Sequence, residues 1–287
     1  MGIMRWRTQP LLSAFGWKDV AYSAAKHPKQ RLDIAVPRKK FPRRKLPTCV
    51  FIHGGSWQRG DKAGAFNNGI DDAFVNAGCI GVSVNYRLSP EHPEHTLDVA
   101  TAVKWVRHNI DKYGGDPDHL VLIGHSAGAH LVMQLLADPQ FLRQVGVDED
   151  VSAFVKGAVG ISGVYNIVRM ANASFYGSLV TTPAFGERVD QWREASVITA
   201  LTKERDKSPL VKIPLLLLTA EEDFHFSEDA QELETWLVAA GHKSVQRKVI
   251  SKRNHFTILR DLTAHRDDDA MQEITKFIQN LVKDDAT

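Results

Sequence analysis

A chain of 287 residues with 43% hydrophobic and 24% charged content can bury a sizeable core, and it lacks the bias of a disordered or fibrous protein. Its formal net charge of +2 gives no reason to invoke nucleic acid, and no apolar run approaches the ~18 residues of a membrane-spanning helix. Two cysteines, Cys49 and Cys79, are too few for a disulfide framework; both lie in apolar strand runs and read as buried thiols.

The start of the chain has no long apolar segment of the signal-peptide kind. Met1-Gly2 begins like a myristoylation site, but Trp6 stands where Ser or Thr is required. A cytoplasmic protein is the default expectation. The first patterned segments are strands at Arg31–Val36 and Leu46–Ile52. Between them runs a basic stretch from Arg38 to Lys45, interrupted by Phe41 and Pro42, which reads as a solvated hairpin loop.

Cys49-Val50-Phe51-Ile52 enters His53-Gly54-Gly55-Ser56-Trp57. Cleaving an ester or amide builds negative charge on the carbonyl oxygen, and backbone N–H groups aimed at that oxygen stabilise the transition state. Glycines leave such an approach unobstructed, so this loop is a candidate oxyanion site, with a plain Gly turn as the alternative. A helix over Ala65–Ala77 and a strand at Ile80–Asn85 follow. Leu97, Ala100, Val103, Val106 and Ile110 then have the spacing of an amphipathic helix over His95–Tyr113.

Leu120-Val121-Leu122-Ile123 is an apolar run without alternation, as expected of a parallel strand buried on both faces. It ends in Gly124-His125-Ser126-Ala127-Gly128, and helix formers continue to Leu136. Strand, G-x-S-x-G and helix in that order describe a nucleophile elbow, with Ser126 lifted above the sheet edge. The pattern alone occurs by chance; its flanks make the argument. His130, one turn further, reads as a packing or hydrogen-bonding residue.

A strand at Val155–Ile161 precedes Asn166 to Lys212, a segment long for a connection between strands and bearing Phe175, Tyr176, Phe185 and Trp192. The next strand, Leu215–Thr219, leads into Glu221-Glu222-Asp223, where three carboxylates compete to orient a histidine. Asp223 is favoured because the acid usually sits a few residues past such a strand; Glu222 is the reserve. Ser227–Ala240 fits a helix. Beyond the strand at Val245–Ile250 come Asn254-His255-Phe256, which makes His255 the candidate base, and a last helix over Asp267–Val282. His225 shares a loop with Asp223 and reads as a pocket-rim residue. Alternating strands and helices of this kind form a parallel sheet with helices on both faces.

These motifs resemble the α/β-hydrolase fold, within it the branch of hormone-sensitive-lipase-like esterases and arylformamidases (kynurenine formamidases). Tyr86-Arg87-Leu88-Ser89-Pro90-Glu91-His92-Pro93 and Tyr113-Gly114-Gly115-Asp116-Pro117 look like the esterase branch. Ser56 departs from it, since many lipase-like esterases carry a third glycine there. H-G-G-x-W is instead typical of arylformamidases and related small carboxylesterases, and Gly124-His125-Ser126-Ala127-Gly128-Ala129-His130, Ser162-Gly163-Val164-Tyr165 and His255-Phe256 before Ile258 are also similar to that group.

The resemblance implies one α/β-hydrolase domain over residues 1–287 with a mostly parallel central sheet; the long aromatic-bearing segment 166–212, with residues 1–30, reads as a small cap over the site. It implies a triad of Ser126, His255 and Asp223, and an oxyanion hole of Gly54, Gly55, Ser56 and Ala127. Trp57, His125, Phe175, Tyr176 and Phe185 are expected around the substrate. No metal or organic cofactor is expected. The leading activity is a carboxylesterase on small to medium esters. The alternative is an arylformamidase hydrolysing N-formylkynurenine, and a non-catalytic binding module is a third reading. Oligomeric state is left open, with a homodimer among the options.

Overall fold

In the computed structural model, the described residues are 14–25, 27–38, 45–88, 91–173, 177–204, 207–264 and 268–284. The chain runs β1 (Ala14–Ala21), β2 (Arg31–Pro37), β3 (Leu46–Ile52), α1 (Ile70–Asn76), β4 (Ile80–Val84), α2 (Glu94–Asn109), β5 (Gly115–His125) and α3 (Ala127–Ala137). It continues α4 (Gln140–Gln144), β6 (Val155–Ile161), α5 (Ile167–Asn172), α6 (Gly177–Phe185), α7 (Val189–Ala195) and α8 (Val197–Glu204). The last elements are β7 (Leu215–Glu222), α9 (Phe226–Ala239), β8 (Val245–Asn254), α10 (Thr257–Ala264) and α11 (Asp269–Asp284).

The described strands form one sheet in the order β1-β2-β4-β3-β5-β6-β7-β8. Strands β1, β2 and β4 pair antiparallel, and every pairing from β4 to β8 is parallel. The apolar runs are unbroken because helices cover both faces. In β3, Val50 and Ile52 enter one core while Cys49 and Phe51 enter the other. Leu120 and Leu122 of β5 separate in the same way from Val121 and Ile123. Cys49 and Cys79 are both buried free thiols.

On the second face α11 sets Ile274, Phe277, Ile278 and Leu281 against the sheet at helical spacing. Gly157 of β6 makes room: a Cβ there would stand 2.5 Å from Leu281 Cδ1. Among the described residues no helix is long and apolar enough to cross a membrane.

Two expectations are corrected. Residues 31–37 and 46–52 are not hairpin partners, because β4 lies between them and binds both. Residues 39–44 of the basic run lie outside the described residues. Residues 14–21, expected in a cap, form the edge strand of the sheet instead. Lys62 fixes that edge, reaching Asp19 at 2.9 Å and the buried Asp33 at 3.1 Å. Residues 1–13 lie outside the described residues.

The described residues of the segment from Asn166 to Lys212 form α5 to α8 and a short 3-10 turn. Asp229 of α9 anchors its start, accepting from the N–H groups of Tyr165 at 2.7 Å and Asn166 at 3.0 Å. Arg169 of α5 pairs with the same carboxylate and with Glu232. From there the insert packs on the outer side of α3, with Ala195, Val197 and Leu201 in the same core as Leu131 and Leu135.

Candidate active site

The chain leaves β3 toward one side of the sheet and returns, through β4 and α2, to pair β5 on the other side. Such a reversal opens a crevice at the carboxyl ends of the two central strands. Both glycine-bearing loops start there, because Ile52 lies beside Gly124 in the parallel register. The next residues therefore stand close: a Cβ on Gly54 would be 3.0 Å from Ser126 Cβ.

Ser126 sits at φ 54 and ψ −119, in a region that costs a non-glycine residue about 1–3 kcal/mol. The turn is held by the Ser126 N–H donating to the Ile161 carbonyl at 2.9 Å, and by the His130 N–H donating to the Ser126 carbonyl at 3.1 Å. Its glycines are demanded by close approach. A Cβ on Gly128 would lie 2.1 Å from the Ile52 carbonyl oxygen, and one on Gly124 would lie 2.4 Å from Gly128. Ala127 opens α3, so its N–H has no partner inside the helix.

Asp223 and His255 leave the ends of β7 and β8 side by side. The His255 N–H donates to the Glu222 carbonyl at 3.2 Å. Its ring Nδ1 lies 2.7 Å from Asp223 Oδ1, and Nε2 lies 3.0 Å from Ser126 Oγ. Asp223 Oδ2 also accepts from the Ala220 N–H at 3.1 Å. Both side chains are buried. A carboxylate on Nδ1 holds the proton there and leaves Nε2 free to accept from the serine hydroxyl.

The neighbouring carboxylates do not reach that ring. A register shift separates the pairs Ala220–Ile250 and Glu222–Asn254. Glu221 faces the resulting bulge in β8, accepting from the Lys252 N–H at 2.7 Å. Glu222 is exposed. His225, expected at the pocket rim, points into solvent and pairs with Glu228 at 3.1 Å.

The expected pocket residues divide. Trp57 is wholly buried; its Nε1–H donates to His130 Nδ1 at 3.2 Å, and its ring meets Phe185 edge-on at 4.7 Å. His130 Nε2–H in turn donates to the Ala195 carbonyl at 2.7 Å. Trp57 and Phe185 thus belong to a buried tie between the glycine loop, α3 and the insert, and not to an open pocket wall. His125 is also buried, with Nε2 2.9 Å from the His255 carbonyl oxygen and its ring 4.8 Å from the His255 ring. Burial, and secondarily the neighbouring His255, pushes His125 down to about 3, so it is neutral. Phe175 and Tyr176 lie outside the described residues.

Phenylalanines that the sequence reading left without a role surround His255. Phe224, Phe226 and Phe256 lie 5.3, 5.2 and 5.3 Å from its ring, and Phe66 lies 5.3 Å from Phe256. Adjacency in sequence to Asp223 and His255 could have pointed to three of them. No local signal marks Phe66. Among the described residues no group of three or more His, Cys, Asp or Glu is placed to hold a metal ion.

The family model described as BD-FAE matches residues 32–223. Esterase LipC of Mycobacterium tuberculosis is 33% identical over 187 residues, covering 61% of this chain and 45% of the relative. A probable isoprenylcysteine alpha-carbonyl methylesterase of Arabidopsis thaliana, ICMEL1, is 25% identical over 215 residues, covering 71% and 44%. The chain therefore spans less than half the length of these relatives. Esterase B of Lactobacillus rhamnosis superposes with a TM-score of 0.77 at 18% identity, over 95% of this chain and 88% of that one. That likeness establishes the α/β-hydrolase fold.

Proposed function

The chain belongs to the BD-FAE family, and from that membership we propose that it is a carboxylic ester hydrolase working through Ser126, His255 and Asp223. The supporting observation is the unbroken run of contacts from Asp223 Oδ1 through the His255 ring to Ser126 Oγ, at 2.7 and 3.0 Å. His255 Nε2 takes the serine proton as Oγ attacks the ester carbonyl. Asp223 stabilises the imidazolium that forms. The oxyanion is received by the N–H of Ala127 and by those of Gly55 and Ser56, with Gly54 leaving space beside Ser126. Imidazolium then protonates the departing alcohol, and water, activated by the same histidine, releases the acid. None of these steps calls for a metal or organic cofactor.

The relatives named above bear ester-hydrolase names, which favours a carboxylic ester over N-formylkynurenine as the substrate class. The insert from Asn166 to Lys212 is assigned to the cap, acting through the Trp57–His130–Ala195 tie. Initial rates on p-nitrophenyl acetate, butyrate and octanoate, beside N-formylkynurenine, test the reading. Ester turnover that disappears when a phosphonate labels Ser126 is expected. Formamide turnover exceeding every ester would reverse the substrate assignment, and full activity after labelling would remove the mechanism.

A further inference from the structure

Three phenylalanines from three separate segments meet beside His255. Phe66 comes from the turn after the glycine loop, pinned where Asn67 Nδ2 donates to the carbonyls of Asp61 at 3.1 Å and Lys62 at 2.8 Å. Phe224 follows Asp223 in a tight turn, at φ 42, closed by the Phe226 N–H donating to the Asp223 carbonyl at 2.7 Å. Phe256 follows His255 directly. The three are 46%, 44% and 46% exposed, unusual for rings this size in mutual contact. Phe66 and Phe256 lie 5.3 Å apart, and Phe224 and Phe256 6.1 Å apart.

What covers these rings follows from the reaction, so the inference rests on the ester-hydrolase reading above. In acylation, His255 Nε2 hands its proton to the oxygen of the leaving alcohol. That oxygen must lie against the His255 ring, and the rest of the alcohol must extend past the groups bordering it. Of the rings bordering it, His125 and Phe226 are buried, so the exposed ones are Phe224 and Phe256, with Phe66 continuing the surface outward. The acyl carbon is bonded to Ser126 Oγ, and its oxygen turns to the N–H groups assigned above to Ala127, Gly55 and Ser56. We propose that Phe66, Phe224 and Phe256 form the subsite for the alcohol half of the substrate, and that this alcohol is apolar and carries an aromatic ring. Ring-to-ring packing of this kind favours edge-on or offset contact at the spacings present among the three.

The test compares benzyl acetate with ethyl acetate, whose acyl group is identical, and ethyl butyrate with ethyl acetate, whose alcohol is identical. In Phe66→Ala and Phe256→Ala the benzyl-to-ethyl ratio of kcat/KM is expected to fall roughly ten-fold or more, the loss of one apolar contact. The butyrate-to-acetate ratio should stay within about two-fold, since no acyl contact is removed. Phe66→Leu, which keeps apolar area without the ring, should fall between, and melting curves establish that each variant is folded. An unchanged benzyl-to-ethyl ratio in both alanine variants, or an equal shift in the acyl ratio, overturns the subsite while leaving the hydrolase intact. Wild-type protein that hydrolyses none of these esters overturns the hydrolase reading, and the subsite with it.

Discussion

His125 Nε2 lies 2.9 Å from the main-chain carbonyl oxygen of His255, tying the residue before the proposed nucleophile to the residue proposed to activate it. A carbonyl can only accept, so Nε2 carries the proton. Burial, which drives this imidazole down to about 3, keeps it in that neutral form at ordinary pH. The bond fixes the loop after β8 against the elbow, and the two rings pack at 4.8 Å. From these contacts we propose that His125 is a positioning residue. His125→Ala should lower kcat about ten-fold with little change in KM, the worth of one hydrogen bond of roughly 1–1.5 kcal/mol. His125→Gln, which can still donate, should recover part of the loss. A variant that melts lower but keeps its kcat and pH–rate profile would reduce His125 to ordinary core.

Ser126→Ala is expected to remove on the order of 10⁶ in turnover while remaining folded. The backbone at φ 54 adds a stability signature. Ser126→Gly should be equally inactive but melt higher than Ser126→Ala, because glycine relieves about 1 kcal/mol of strain at positive φ. Identical melting temperatures for the two would show that the elbow stores no strain.

Asp223→Asn should cost about 10⁴ in kcat by presenting the wrong imidazole tautomer. Glu222→Gln should be close to neutral, since that side chain is exposed and the ring contact belongs to Asp223. Glu221→Gln should act on stability through the β8 bulge, where it accepts from Lys252, and spare kcat. Steady-state kinetics on the three variants, beside their melting curves, separate these outcomes.

The parts of this site that could be read from residues are those set by local order. Val50 to Ile52 and Leu120 to Ile123 announce strands buried on both faces, and each glycine motif follows its strand directly. What escaped reading depends on partners distant in sequence. β1 carries Gly16, Lys18 and Asp19 among its apolar residues and is a strand only because β2 pairs with it. The insertion of β4 between β2 and β3 leaves no mark in the loop joining them. Trp57 follows the glycine loop, yet His130 and Phe185 draw it into the core. Distance past the β7 run already favours Asp223 over Glu221 and Glu222; the bulge in β8 that engages Glu221 leaves no local mark.

Buried neutral histidines predict how stability varies with pH. His53 and His95 are lowered to about 4, and His125 and His130 to about 3, by burial. Each takes up a proton on unfolding at any pH between its folded value and about 6.5, the ordinary value for histidine. The unfolded state then binds more protons, so stability rises with pH through that window and is complete above it. The melting temperature should fall steadily from about pH 6.5 toward pH 4, and proton uptake on unfolding near pH 5 should approach four from these groups. A melting temperature flat across that range would show that these rings are already charged or exposed in the native protein.

Phe185 separates a pocket wall from a structural tie. Its ring is buried against Trp57 at 4.7 Å, His130 at 5.5 Å and His92 at 5.9 Å. The same contact joins α6 of the insert to the loop that carries Gly54 and Gly55. Phe185→Ala should therefore cost about 3–4 kcal/mol of stability through the cavity it leaves. Because Trp57 loses a support, the glycine loop relaxes and turnover should fall by a similar factor for acetate, butyrate and octanoate esters. A ring lining an acyl pocket would instead change their ratio by 10- to 200-fold, a range of roughly 1–3 kcal/mol. Rates for the three esters, measured below the variant's melting transition, decide the matter. A shifted chain-length preference at unchanged stability would place Phe185 in contact with substrate and return it to the pocket.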